Sequence, residues 1–301
     1  MTSGALMGAQ INVITQWAAN TATTSGFLIL FCSGLYLTYT TRRFVSFALT
    51  IPFTVCPYLL SSAAAIDAMP FPLALVGSIL VSGFAVLALD WIVNAHLAKR
   101  QASALTFMVV SLALSIAAQN LVSLVWGDEG RLIGRATVRA GSLVFGARIT
   151  VVQALAIAAG ACVAASMLLA LNRTRVGREL RALGNDPVLA RCVGLNGTVL
   201  CLQGAFLSGC LAGGAGVLVG YDSALSPTFG LPILFLSVVA SVMGGMSSFG
   251  SVICGCLLVA SMQQVMVIAI GGRWYELILF VAFVLCLVIR PRGVWASHQN
   301  R

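Results

Sequence analysis

The stretch NRTRVGRELRALGNDPVLARCVGLN, residues 172–196, decides how this chain is read. It is the longest polar, helix-compatible interruption in an almost continuously apolar sequence, and it carries Arg173, Arg175, Arg178, Arg181 and Arg191. The runs on either side, 149–171 and 197–220, are each long enough to cross a bilayer. A hydrocarbon core about 30 Å thick needs about 20 helical residues. A structured basic loop between two spans is a surface offered to a cytoplasmic partner.

Outward from that segment the composition points the same way. Of the 301 residues, 59% are hydrophobic and 8% charged, whereas soluble domains carry about 25% charged residues. Further apolar runs lie at 21–40, 44–65, 71–97, 104–126, 229–246, 250–270 and 275–290. The expected fold is all-α, a polytopic transmembrane helix bundle of about eight or nine spans. It forms a single transmembrane domain over 1–301, with a cytoplasmic loop at 172–196 and an external loop at 127–148. Pro52 and Pro57 are expected to kink or break the second run. Such a break survives at membrane depth only where protein buries it or a cavity lies beside it.

The formal charge of +9 reads as topology, because basic residues collect in cytoplasmic loops. Nine spans with an external N-terminus put 12 of the 17 lysines and arginines inside, after the first, third, fifth and last spans. No basic face with interleaved aromatics exists, so nucleic acid is not an expected partner. Trp126 and Trp274 fall at span ends, where interfacial aromatics sit. The N-terminus lacks a basic n-region and is interrupted by Gln10, Asn12, Gln16 and Asn20, so it does not read as a signal peptide. The nine cysteines show no metal or redox spacing. No metal site, no catalytic constellation and no phosphate-binding GxxxxGK[ST] loop appears, so the chain is expected not to be an enzyme and to bind no cofactor of its own.

Within the segment, Val176–Leu183 is helix-forming, and Gly184 is expected to end that helix in the left-handed conformation. Asp186 and Pro187 suit the N-cap and first position of a second short helix, which Gly194 closes. The polar face carries Arg178, Glu179 and Arg181, while Leu180, Leu183, Val188, Leu189 and Val193 supply apolar contacts. Two capped helices with an apolar row exceed what topology alone requires, and an amphipathic helix fits a partner's groove. Elsewhere, Gly213 and Gly214 in the sixth span and Gly244 and Gly245 at the next reversal are expected to serve close packing and turning.

The string Gly177–Asn196 resembles the cytoplasmic coupling segment of the permease subunits of branched-chain amino acid ABC transporters, the LivH/LivM family. Gly177, Arg178, Arg181, Ala182, Asp186, Ala190, Gly194 and Asn196 match the pattern typical of its members, with Leu195 where isoleucine is usual. Ser226-Pro227, Val242-Met243-Gly244-Gly245 with Ser247, Ser248 and Gly250, and the closing Arg290-Pro291-Arg292-Gly293 are similar to further family segments. So is the region from Ser111-Leu112 to Gln119-Asn120. The resemblance covers about 104–294, while Arg43–Ala48 replaces the family's "NFAHG"-like stretch and lacks its His and Gly. What the resemblance implies is an importer subunit of a bacterial inner membrane. Its partners would be a second permease subunit (homologous, or a homodimer mate), two ATPases that use ATP, and a periplasmic solute-binding protein. The solute would be a branched-chain or related amino acid.

Polar residues inside spans are functional candidates by default. Gln119 and Asn120 are neutral amides suited to a pathway for zwitterions or amides, or to interhelical hydrogen bonds. Asp90, with Asn94 and His96, reads as a cytoplasmic interfacial cluster near Lys99 and Arg100. Gln203, Gln263 and Gln264 read as packing contacts, and Tyr221 and Asp222 as outer-face residues. The rival reading is an ion-gradient-driven secondary carrier, for which the one acidic candidate, Asp90, lies near a span end.

Overall fold

The computed structural model describes residues 3–65, 70–130, 142–144, 147–271 and 281. Among these the chain forms α1 (Ser3–Arg42), α2 (Thr50–Ala65), α3 (Phe71–Leu89), α4 (Ala95–Lys99) and α5 (Ala104–Trp126). These are followed by α6 (Val151–Arg173), α7 (Arg175–Asn185), α8 (Pro187–Cys192), α9 (Gly197–Asp222), α10 (Gly230–Gly244) and α11 (Phe249–Ile270). Six helical stretches are long and apolar enough to cross a membrane: Ile14–Arg42, Phe71–Lys99, Ala104–Trp126, Val151–Arg173, Gly197–Asp222 and Phe249–Ala269. Phe47–Ala63 and Gly230–Gly244 are apolar but shorter. Against the expected eight or nine spans, the described residues thus hold six helices long enough to cross a membrane and two shorter apolar ones. The ninth run, 275–290, lies outside them apart from Val281, as do Arg273, Trp274, Cys286 and the closing Arg290–Gly293 motif.

The first span is longer than the 21–40 run and forms the hub of the bundle. Its apolar window is 83% buried, against 22–28% for those of α3, α5, α6 and α11, whose outer faces are left to lipid. Such burial makes α1 hide hydroxyls, and most of those hidden are bonded within the helix, Thr21 Oγ1 being an exception. Ser33 donates to Ile29 O at 2.6 Å and Thr40 to Tyr36 O at 2.8 Å, each returning its proton to its own helix. One core joins α1 to α10 and α11 through Leu28, Tyr36, Met243 and Val252. Another joins α1 to α2 and α9 through Phe31, Leu35, Phe53 and Ala212. Between apolar helices in lipid this close packing, more than the hydrophobic effect, holds the bundle.

The break in the second run lies upstream of the prolines. Arg43 takes φ 60° and Phe47–Leu49 is a 3-10 turn before α2 starts. Pro52 falls in the first turn of α2, where a missing N–H is harmless. Pro57 lies inside the helix and leaves Phe53 O without its usual donor. The α2–α5 seam is polar: Thr50 and Ser115 hydroxyls are 2.5 Å apart, and Phe47 N donates to Ser111 Oγ at 3.1 Å. Toward the other end Trp126 Nε1 donates to Ser62 Oγ at 2.8 Å, so this tryptophan is anchored in the bundle as well as sitting at a span end.

Near the end of the loop expected at 127–148 lies a two-stranded antiparallel hairpin, β1 (Ser142–Val144) with β2 (Ala147–Ile149), an element the all-α expectation omitted. Gln16 pins it to α1, accepting from Arg148 N at 2.9 Å and donating to Arg148 O at 3.4 Å. Between α9 and α10 the chain turns back into the bundle, burying Leu225 completely against Tyr58 and Val122. Gly245, at φ 93°, ends α10 at the expected reversal.

Candidate coupling site

Thr174 builds the corner between α6 and α7. Its hydroxyl donates to Ala170 O at 2.6 Å and accepts from Gly177 N at 3.1 Å, so one side chain closes one helix and caps the next. Gly177 permits the fold-back: a Cβ there would meet Leu171 Cα at 2.6 Å and press still closer on Ala170 O. Arg181 then ties α7 to the end of α6 from the other side. Its Nη2 donates to Leu171 O and, at 2.8 Å, to Asn172 Oδ1. Arg181 therefore braces the corner rather than joining the outward polar face expected of it.

The buried stripe of α7 is Gly177, Leu180, Leu183 and Gly184. Leu180 and Leu183 pack with Leu37 of α1, Ala190 of α8 and Leu200 of α9. Gly184 does not stop the helix, which runs on to Asn185. It lies instead where α7 crosses α1, with a Cβ due to meet Thr40 Cγ2 at 2.8 Å and Thr40 O at 3.0 Å. Asp186 caps α8 by accepting from Val188 N at 2.8 Å and Leu189 N at 3.1 Å. Gly194 takes φ 83°, and Leu195 N bonds back to Ala190 O at 3.0 Å, a Schellman-type closure.

What this frame presents outward is specific. Arg178 and Ala182 are exposed on α7, and Arg175 pairs with Glu179 at 3.1 Å one turn apart. On α8 and its exit, Val188, Leu189 and Val193 are 68%, 62% and 80% exposed. The apolar row is thus divided: Leu180 and Leu183 bind the bundle, while these three are left uncovered by the described residues.

The other residues marked in the sequence are dispersed. Gln119 Nε2 is buried with no hydrogen-bond partner, as is Thr54 Oγ1 on α2, the helix that packs on α5. Asn120 is exposed and donates to Ile116 O of its own helix at 2.8 Å, so the two amides do not converge. Gly213 is seated on Ser82 of α3, whose Cβ an added methyl would meet at 2.9 Å. A Cβ at Gly214 would meet nothing within 4 Å among the described residues. Gly244 abuts Gly255 of α11. Gln264 donates to Thr24 Oγ1 at 3.2 Å, and Asp222 accepts from Gln153 at 3.4 Å.

Asp90 departs most from expectation. It is buried, and it pairs with Arg42 through Nε–Oδ1 at 3.1 Å and Nη2–Oδ2 at 2.5 Å rather than with Lys99 or Arg100. Asn94 donates to Asp90 Oδ1 at 2.9 Å, within a π-helical turn, Asp90–Asn94, that joins α3 to α4. The pair locks the end of α1 to the end of α3 on one side of the bundle. Arg181 and the α7–α1 contact bring the end of α6 to that same side. No sequence signal linked Arg42 to Asp90. Thr174, by contrast, stands just ahead of an amphipathic run and was recognisable as a cap.

Comparison with known proteins adds to this geometry. Residues 17–288 match the family described as branched-chain amino acid transport system / permease component. The match therefore reaches into the N-terminal third, beyond the 104–294 stretch that carried the sequence resemblance. The permease protein BraD of Pseudomonas aeruginosa is 25% identical over 194 residues, 62% of each chain. The permease protein LivH of Escherichia coli K12 is 24% identical over 226 residues, 73% of this chain and 72% of that one. Over a shorter stretch of 81 residues, 27% of this chain and 22% of the relative, the fructose import permease FrcC of Rhizobium meliloti is 41% identical.

Proposed function

Because the chain belongs to the family of branched-chain amino acid transport permease components, and is a multi-pass membrane protein, we propose that it forms one half of the translocation pathway of an ABC importer. In this reading residues 172–196 couple that pathway to cytoplasmic ATPase subunits, which bind and hydrolyse ATP. The other half is a second permease subunit, a homologue or another copy. A periplasmic binding protein delivers the solute, and the membrane is a bacterial inner membrane.

The observation that carries the coupling assignment is the divided apolar row. Leu180 and Leu183 fasten α7 to α1 and α9, while Val188, Leu189 and Val193 stand exposed, as does Arg178. A short, rigidly seated element with an uncovered apolar edge is suited to a groove in a soluble partner. Because α7 rests on α1 and on the end of α6, movement of the partner is delivered to the hub of the bundle.

For the solute, BraD and LivH carry branched-chain amino acids in their names, and a branched-chain or related amino acid is the proposed cargo. The buried, unpartnered amide of Gln119 supports this, with Thr54 on the neighbouring helix, because both are neutral and suit a zwitterion without net charge. Asn120 faces away from that seam and belongs to the pathway less well. The test is ATP-driven leucine uptake by the reconstituted complex. Arg178→Glu with Leu189→Asp is expected to abolish uptake while leaving the permease inserted. Undiminished uptake overturns the coupling role, and uptake without any ATPase subunit overturns the importer reading in favour of a secondary carrier.

A further inference from the structure

At the basic end of the bundle a cavity of about 620 Å³ opens between α1, the end of α6, α7 and the α10–α11 turn. Its polar lining includes Arg43, Arg181, Tyr39, Ser247 and Ser248, and no carboxylate is among the lining residues. Leu168 and Phe249 give it an apolar wall.

The charges around it are uncompensated. Arg42 and Arg175 have carboxylate partners, but the described residues supply none for Arg43 or Arg181. Arg181 bonds only to neutral oxygens, those of Leu171 and Asn172. Arg43 is exposed, lies 5.9 Å from the Tyr39 ring, and is held at φ 60°. A non-glycine residue in that left-handed region persists where surrounding structure fixes it. Across the cavity Ser248 caps α11, accepting from Ser251 N at 3.2 Å, and Phe249 and Gly250 lie in the lining. The N-terminal end of a 22-residue helix therefore borders the same space, at the positive end of its dipole. Two guanidinium groups, a helix N-terminus, hydroxyls and no acid make a site for an oxyanion.

We propose that this cavity binds a phosphate group, carried by an anionic phospholipid or free in solution, between Arg43, Arg181 and the start of α11. The cavity is at the ends of spans, and it joins a basic rim to an apolar wall. Basic pockets between transmembrane helices at the cytoplasmic side take anionic lipid headgroups in this way. Its occupant touches α1, α7 and α11 together, so binding stabilises the seat of α7 on the bundle. The site is independent of which solute is carried.

The test uses the purified full-length chain in detergent, titrated with phosphatidylglycerol or phosphatidylcholine and read by native mass spectrometry. Arg43→Gln is compared with Lys99→Gln, which removes the same charge from an exposed residue outside the lining. Arg43→Lys keeps the charge and controls for folding. The expected result is one tightly retained phosphatidylglycerol on the wild type, retained about fivefold more weakly by Arg43→Gln and unchanged in Lys99→Gln. Fivefold corresponds to the ~1 kcal/mol that one basic residue contributes toward anionic lipid. Displacement of that lipid by inorganic phosphate, against chloride at equal ionic strength, assigns the site to free phosphate instead. Equal loss in both glutamine variants, or no retained anion of either kind, overturns the proposal.

Discussion

Gly177→Ala is the sharpest test of how the α6–α7 corner is built. The added methyl would lie 2.6 Å from Leu171 Cα and closer still to Ala170 O, where ordinary contact begins at 3.4 Å. Both obstacles are backbone, so no side chain can turn aside, and α7 has to move by more than the 0.8 Å that would clear Leu171 Cα alone. Overpacking of this kind costs about 1–3 kcal/mol, while alanine returns about 1 kcal/mol over glycine inside a helix. The strain is escaped by lifting α7 from its seat, and each 1.4 kcal/mol spent that way lowers the seated population about tenfold. The assay is ATP-driven leucine uptake by the reconstituted complex, normalised to the amount of inserted permease. Gly214→Ala is the control, since nothing lies within 4 Å of its Cβ position; it should match or slightly exceed the wild type in thermal stability and transport normally. Gly177→Ala is expected to transport about tenfold less while remaining inserted. Uptake within twofold of wild type would refute the view that this close approach sets the position of α7.

Other expectations follow from the same geometry. Asp90→Asn strands the largely buried Arg42 guanidinium and should destabilise the fold by about 3–5 kcal/mol, whereas Arg42→Met with Asp90→Leu should recover most of the loss; thermal unfolding in detergent reads both. Leu189→Asp alters a residue that is 62% exposed, so unfolding should change by no more than about 0.5 kcal/mol while ATPase retention in pull-down falls at least tenfold. Gln119→Leu removes an amide that has no partner, so stability should be unchanged or rise by about 1 kcal/mol while leucine uptake drops; intact uptake would remove Gln119 from the pathway.

The sequence disclosed the bundle through its apolar runs, because a span must be long and apolar whatever packs on it. It disclosed the second loop helix because Asp186, Pro187 and Gly194 are local devices, each acting within three or four residues of itself. What it hid were contacts between segments distant in the chain. Gly184 resembled a helix stop in isolation, but its role is set by Thr40, 144 positions earlier, and helix propensity carried α7 past it. Asp90 was read with its sequence neighbours Lys99 and Arg100, yet α1 delivers Arg42 to it from 48 positions away. Gly213 and Gly214 are adjacent and chemically identical, and only the direction each faces separates a packing residue from an open one.

Those contacts also explain why the motif of the loop reads as it does. Gly177 allows α7 to fold back on α6, Asp186 and Gly194 start and end α8, and Ala190 is small enough to be buried beneath it. Arg181 fastens the corner rather than facing outward. With Asn196, which caps α9 by accepting from Val199 N, six of the eight motif positions specify a shape, leaving Arg178 and Ala182 as the motif's outward-facing side chains on α7. The apolar contacts offered outward, Val188, Leu189 and Val193, lie outside the motif. In the proposed coupling role, a signature of that kind fixes where a partner's groove must sit while leaving the chemistry of the contact free to vary.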